Sequence, residues 1–430
     1  MEEPQPSVLL VAAKWWPLSS RMAAALLRHG CRVSAVCPAH HPLIYIVGLT
    51  RIYRYGRIFS LERLKAALLE CQPTVVVPCD DGVVAQLHTL HREVPELRAL
   101  IERSLGSPQG FRLLDSRYSL IEAAVESGIR VPKTVPINNE GDLVAWHAAG
   151  RAKTVLKIDG ECGGNGVKIT GSLAESIEAR EQFRTSRSAS IAFKRAMIDL
   201  DPLAFWQHRR KDELGVTAQE YIVGRPANSM MVCWRGEVLA MLSVMVVSAE
   251  GQTGAATIVR RIRNDEMRVA AKLLALRFGL TGFYGLDFMI ESSSGRPYLI
   301  EMNPRCTQLG HIEFADQGSL AGAFSAALRD TPRPSPRNPI PQETIALFPQ
   351  ALGAGEALAP YIRASYHDVP LEEPELWQEL LLGGWPNRRL VGRVYHSLRP
   401  MRRTAPMIFE EVIQDSMVQD TNDQATARNP

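Results

Sequence analysis

The stretch FYGLDFMIESSSGRPYLIEMNPR, residues 283–305, constrains this chain more than any other. Two runs of apolar and aromatic residues flank ESSSGR, the composition of a β-hairpin. With the turn centred on Ser294, position 287 faces position 301, so Asp287 and Glu301 stand opposite each other on adjacent strands. Glu301 and Asn303 are two apart and share a face. Facing carboxylates repel, so one of them keeps its proton or a cation lies between them. Mg2+ takes one or two carboxylates and completes its shell with water and phosphate oxygens, a ligand count that suits Asp287, Glu301 and Asn303. The spacing alone leaves a solvated acidic rim as a second reading, and a slip of one residue turns Asp287 to the wrong side.

The rest of the chain offers a setting for such a site. SVLLVAA (7–13), CRVSAVCP (31–38) and TVVVPCDD (74–81) read as short buried strands, with helices at 19–30, capped by Ser19 or Ser20, and at 61–72 between them. Strands alternating with helices imply a parallel sheet covered on both faces. No G-x-G-x-x-G follows the first strand, which removes the case for a dinucleotide. After LLDSRYSLIEAAVESGIRVPKTVPI (113–137), a capped helix followed by a proline-punctuated segment, the texture changes to strands joined by glycine turns. Hairpins or paired strands at 216–224, 230–247 and 283–302, with an amphipathic helix over 264–279, make an α+β domain. TPRPSPRNPIP (331–341) is a stiff linker or a surface crossing, and from about residue 422 the chain is polar and expected to be disordered. The expected organisation is therefore an α/β domain over 1–112, an α+β domain over 113–330, a linker over 331–341, a C-terminal region over 342–421 and a tail over 422–430.

Composition excludes several classes. A net charge of +3 over 430 residues gives no argument for nucleic acid or an anionic membrane. No window approaches 18 uninterrupted apolar residues, so no membrane span is expected. The seven cysteines are scattered, without C-x-x-C pairs or zinc spacing, and read as reduced thiols of a cytoplasmic protein.

Two more stretches carry chemistry. In VLKIDGECGGNGVKI, Lys157 sits near a strand end, and Gly160, Gly163, Gly164 and Gly166 follow before the next strand. Glycines let backbone N–H groups approach a polyphosphate, and Lys157 supplies a point charge for phosphate oxygens. It is not a Walker loop, and an ordinary flexible hairpin turn remains the other reading. In AQEYIVGR (218–225), Glu220, Tyr221 and Ile222 form a strand end that can present backbone groups to an adenine edge.

In this order, these residues resemble the ATP-grasp superfamily, which includes the carbamoyl phosphate synthetase large chain, biotin carboxylase and D-alanine–D-alanine ligase. The resemblance covers roughly residues 113–330 and rests most on LDF…LIEMNPR. It implies an α/β N-terminal domain followed by an α+β ATP-grasp fold with a small C-terminal extension. It also implies that Asp287, Glu301 and Asn303 hold one or two Mg2+ ions, with Mn2+ as a substitute. Arg305 would contact the transferring phosphoryl group, and Lys157 and Arg117 would contact the phosphates under the 159–166 loop. Tyr221 and Ile222 would meet the adenine, with Glu220 nearby. The family often places a glutamate for the ribose just after the glycine turn; here GRPANS leaves Asn228 in that place. The first metal ligand is Asp rather than the commoner Glu, which bears on metal number.

The activity implied is an Mg–ATP-dependent carboxylate–amine ligase that joins small molecules through an acyl phosphate, in a family whose members are often dimers. The alternatives are a bicarbonate-activating enzyme, a kinase-like phosphotransferase and a nucleotide-responsive binding protein. No A-M-K-M biotin-attachment motif and no second copy of the motifs is present. The arginines of TIVRRIR (257–263) are candidates for anchoring a substrate carboxylate, with a solvated strand edge as the plainer reading. The histidine pair at 40–41, the basic SLRPMRR (397–403) and the 172–215 insertion are left without an assigned role.

Overall fold

The structure, a computed structural model, describes residues 5–56, 58–114, 116–150, 153–159, 166–185, 189–209, 215–353, 358–382 and 406–409. It opens with strand–helix alternation: β1 (Ser7–Val11), α1 (Pro17–Arg28), β2 (Arg32–Cys37), β3 (Ile52–Arg54), α2 (Ser60–Cys71) and β4 (Val75–Pro78). The strands form a parallel sheet in the order β3-β2-β1-β4. Parallel strands are buried on both faces, and β1 is wholly apolar from Val8 to Val11 for that reason. Helix α1 begins two residues before the expected cap: Pro17 takes the first helical position, and Ser19 and Ser20 lie buried inside the helix. The edge strand β3 went unread because three residues carry no period. Helices α3 (Asp81–Glu93), α4 (Arg98–Leu105) and α5 (Pro108–Leu114) follow, then α6 (Arg117–Glu126); of the two cap candidates Asp115 and Ser116, the Ser116 side chain accepts the Ser119 N–H.

A small antiparallel sheet comes next, built from β5 (Thr134–Pro136), α7 (Glu140–Ala148), β6 (Thr154–Ile158), β7 (Val167–Thr170), α8 (Leu173–Thr185), α9 (Ala189–Met197), α10 (Ala204–Arg209) and β8 (Val216–Glu220). Its order is β5-β8-β6-β7, and α7 and α8 close its core around Leu143, Trp146, Phe183 and Leu156. Within the 172–215 segment α8 stays on this sheet, while Leu203 packs into the core beneath the N-terminal sheet.

The main sheet contains β9 (Gly224–Trp234), β10 (Glu237–Ala249), β11 (Ala256–Arg261), α11 (Asp265–Phe278), β12 (Gly282–Glu291) and β13 (Pro297–Asn303). Then come β14 (Glu313–Phe314), β15 (Gly318–Ser319), α12 (Leu320–Arg329), β16 (Thr344–Ala346), α13 (Ala359–Ala364), β17 (Tyr366–His367), α14 (Pro374–Leu381) and β18 (Met407–Ile408). The strand order is β13-β12-β9-β10-β11-β16-β17, with β18 pairing β10, so residues beyond the proline-rich crossing extend this sheet. The crossing itself is pinned: Glu313 Oε2 accepts the backbone N–H groups of Arg337 and Asn338, at 2.8 and 3.1 Å.

The two faces of the main sheet have different partners. Met231, Cys233, Tyr284, Leu286 and Phe288 pack under α6 and α11. Met230, Val232, Leu242, Val244 and Phe283 point the other way and share a core with α1, α12 and one side of the N-terminal sheet. By the period of two, Asp287 belongs to this second face. The fold thus lays the N-terminal domain over the face that carries the acidic hairpin.

Candidate active site

The hairpin has the expected facing pair. Asp287 lies opposite Glu301, while Phe288 pairs with Leu299, so Ile300 is the extra residue of a β-bulge. A bulge residue has no cross-strand partner for its backbone, and the Ile300 carbonyl takes the Lys157 ammonium at 2.9 Å. Asp287 also pairs with Asn228 on β9, and Asn228 with Val244 on β10, so Val244, Asn228, Asp287 and Glu301 form one lateral row.

Hydrogen bonds tie the row together. The side-chain amides of Asn228 and Asn303 donate to the two oxygens of Asp287, at 2.6 and 3.0 Å. Arg117 donates to Glu301 at 2.8 Å and to the Ile158 carbonyl at 2.5 Å, bridging the hairpin to the base of the glycine loop. Arg305 donates to Asn303 at 3.2 Å and pairs with Asp81 at 2.8 Å. Asp81 starts α3, where a carboxylate is favoured by the helix dipole. Burial alone would raise its pKa, but the Arg305 guanidinium outweighs that and holds it below the usual range.

Charge is packed tightly here. Burial, and then the Glu301 carboxylate, push the Asp287 carboxyl above the ordinary carboxylate range. Burial lowers the Lys157 ammonium to about 8 even though Glu301 favours its charge. Lys157 is 5% exposed. An acid that cannot easily ionise beside a second acid, and a cation starved of solvent, mark a site arranged for a charged guest.

One cavity of about 330 Å³ gathers these groups: Arg117, Lys157, Gly166, Glu220, Tyr221, Ile222, Asn228, Asp287, Glu301, Asn303 and Arg305 all line it. Gly160, Gly163 and Gly164 lie outside the described residues. Strand β8 ends at Glu220 and β9 begins at Gly224, so Tyr221–Val223 is the crossing from small sheet to main sheet. Asn228, expected near a ribose, is bonded to Asp287. Arg261 and Arg263 of the TIVRRIR segment are committed to Asp316, and neither lines the cavity. His41 is fully buried and capped by the Lys14 carbonyl, its ring driven to about 4 by burial, whereas His40 is exposed. Residues 397–403 lie outside the described residues.

The donor set fits a hard divalent cation: two facing carboxylates, Asp287 and Glu301, with the Asn303 amide beside them. Among the described residues no group of three or more His, Cys, Asp or Glu is placed to hold a metal ion, so the Asp287–Glu301 pair would need the Asn303 amide, water and phosphate oxygens to complete a shell. Sequence reading missed Trp16, which precedes α1 and lines the cavity, and Asp81, which follows β4 and reaches the site through Arg305. The DD at 80–81 was visible as a strand end, but nothing local tied it to Arg305.

Residues 195–308 match the family model of an ATP-grasp domain. The chain carries an ATP-grasp domain. Solved structures share the fold at low identity. The N5-carboxyaminoimidazole synthetase of Staphylococcus aureus, complexed with ADP, is 14% identical, with 78% of this chain and 81% of that one covered at a TM-score of 0.54. The carboxyaminoimidazole ribonucleotide synthase of Aspergillus clavatus, complexed with ATP, is 17% identical over 79% and 80%, at 0.57. The biotin carboxylase domain of the Hydrogenobacter thermophilus 2-oxoglutarate carboxylase, a dimer with MgADP and bicarbonate, is 13% identical over 78% and 72%, at 0.56. No curated protein matches the chain. The lining residues above sit between the small sheet and the main sheet, and those from Glu220 to Arg305 fall within the matched residues. No helix among the described residues is long and apolar enough to cross a membrane.

Proposed function

We propose that this protein is an ATP-dependent ligase that activates a small carboxylic acid and joins it to an amine. The observation that carries the reading is the facing Asp287–Glu301 pair with Lys157 on the bulge carbonyl beside it. Asp287, Glu301 and Asn303 would hold Mg2+, which supplies charge neutralisation at the β- and γ-phosphates. Lys157 and Arg117 bind phosphate oxygens; each now rests on a carbonyl or carboxylate that a nucleotide can share. Ile222 and Tyr221 border the cavity where an adenine would lie. Arg305, positioned by Asp81 and Asn303, orients the acid and stabilises charge on the transferring phosphoryl group.

The reaction balances without an oxidant. An oxygen of the acid attacks the γ-phosphorus, the bond to the ADP oxygen breaks, and an acyl phosphate forms. The amine nitrogen then attacks the acyl carbon, phosphate leaves with the bonding pair, and the amine proton passes to solvent. The solved structures that share the fold include carboxylases, but at 13–17% identity they carry the fold and not the substrate.

The test is ADP release measured with mixed pools of carboxylic acids and amines, with products read by mass spectrometry. A ligase releases ADP with a condensed product only when both acid and amine are present. A stable phosphorylated acid without amine would make it a kinase, and dependence on bicarbonate a carboxylase. Glu301→Gln and Lys157→Ala each lower turnover at least a thousandfold with an unchanged circular dichroism spectrum.

A further inference from the structure

The cavity has two unlike ends. Around the hairpin it is lined by Arg117, Lys157, Glu220, Asp287, Glu301 and Arg305. Its other end is lined by Trp16, Val246, Ala249, Val259, Leu309 and Phe409, with the uncharged polar side chains of Gln252, Thr253 and Gln308 in the adjoining segments. The register fixes how these ends relate. Asn228 lies between Asp287 and Val244, Val246 is two residues beyond Val244 on the same face, and Val246 pairs with Val259 of β11. Neighbouring strands are about 4.8 Å apart and each residue rises about 3.4 Å, so Val246 lies about 12 Å and Val259 about 16 Å from Asp287. Three separate parts of the chain wall this end. Trp16 comes from the turn after β1, Leu309 from the segment four residues past Arg305, and Phe409 follows β18, its backbone N–H on the Val247 carbonyl at 3.3 Å. Trp16 and Phe409 are partly buried against the core shared by the two domains.

Among the described residues lining this end none carries a charge, so a charged tail would meet no counter-ion from them, and burying an unpaired charge is costly. We infer that the apolar end receives the uncharged, hydrocarbon body of the acid whose carboxylate meets Arg305; this rests on the ligase reading above. The substrate class is a monocarboxylic acid with an aliphatic or aromatic body of at least four carbons. Leu309 links the two ends, since the segment that carries Arg305 also carries this wall.

The test is calorimetric binding of acetate, butyrate, hexanoate, phenylacetate and succinate to the full chain saturated with Mg2+ and a non-hydrolysable ATP analogue. Affinity is expected to rise about fourfold per buried methylene, so hexanoate binds at least tenfold tighter than acetate, and succinate is the weakest relative to its length. Phe409→Ala and Trp16→Ala each weaken hexanoate and phenylacetate at least fivefold, and the loss grows with chain length. Equal affinity along the series, or preference for succinate, overturns the inference while uptake of the analogue leaves the nucleotide site standing. Absence of analogue uptake overturns the ligase reading itself, and the two failures are separated in the first titration.

Discussion

Ile300 is a small irregularity with a large consequence. At the turn end of the hairpin Ile290 pairs with Pro297 and Met289 with Tyr298, a register that, continued, would set Asp287 against Ile300. The bulge absorbs one residue, and Glu301 arrives opposite Asp287 instead. A turn centred on Ser294 gives that same facing pair, so the acids were legible; the bulge was not, because nothing in PYLIEM distinguishes a skipped residue from a paired one. The freed carbonyl then holds Lys157. Burial has lowered that ammonium to about 8, so without a nucleotide its charge costs more than its contacts return. Lys157→Met is therefore expected to stabilise the ligand-free protein by about 1 kcal/mol while removing nucleotide binding. A urea titration at pH 7 checks this, and a loss of stability would show that the carboxylates alone justify the lysine.

At the scale of elements, strand β12 shows why the site lies where it does. Its apolar residues Tyr284, Leu286 and Phe288 face α11, leaving Gly285 and Asp287 on the other side. A β-carbon on Gly285 would sit 2.3 Å from the Thr307 methyl, so glycine is what lets the Arg305–Leu309 segment lie on the sheet. Gly285→Ala is expected to displace that segment, costing about 1–3 kcal/mol and at least tenfold in turnover; unfolding curves and steady-state rates measure both. Long periodic elements such as α11, with its Asn264 cap, were readable from sequence. The start of α1 was not, since serines that cap well can also be buried, and Pro17 decided the matter. The Asp81–Arg305 pair was beyond reach for another reason, as its partners are 224 residues apart.

For the whole molecule, the C-terminal segment and the N-terminal domain are fastened together through buried side-chain contacts to carboxylates. Arg21 of α1 and His311 both bind Asp368, at 2.5 and 2.9 Å. His29, which follows α1, binds Glu313 at 2.7 Å, and Glu313 in turn pins the proline-rich crossing. Burial would raise the Glu313 pKa, but His29, Ser319 and the Asn338 N–H hold it at about 2. A carboxylate depressed in the folded state contributes stability above its unfolded pKa of about 4.3 and loses it as pH falls toward 2. Glu313→Gln is expected to cost on the order of 2 kcal/mol at pH 7 and to flatten the loss of stability between pH 4.5 and 2. A pH series of denaturation midpoints would contradict this if the variant kept the wild-type slope. The central claim is that the acidic hairpin exists for a magnesium-bound nucleotide. Titration of ATP into the folded protein by calorimetry, with and without Mg2+, tests it most directly: uptake should require Mg2+ and weaken at least a hundredfold in Glu301→Gln, whereas no heat, or equal affinity without the metal, would contradict it.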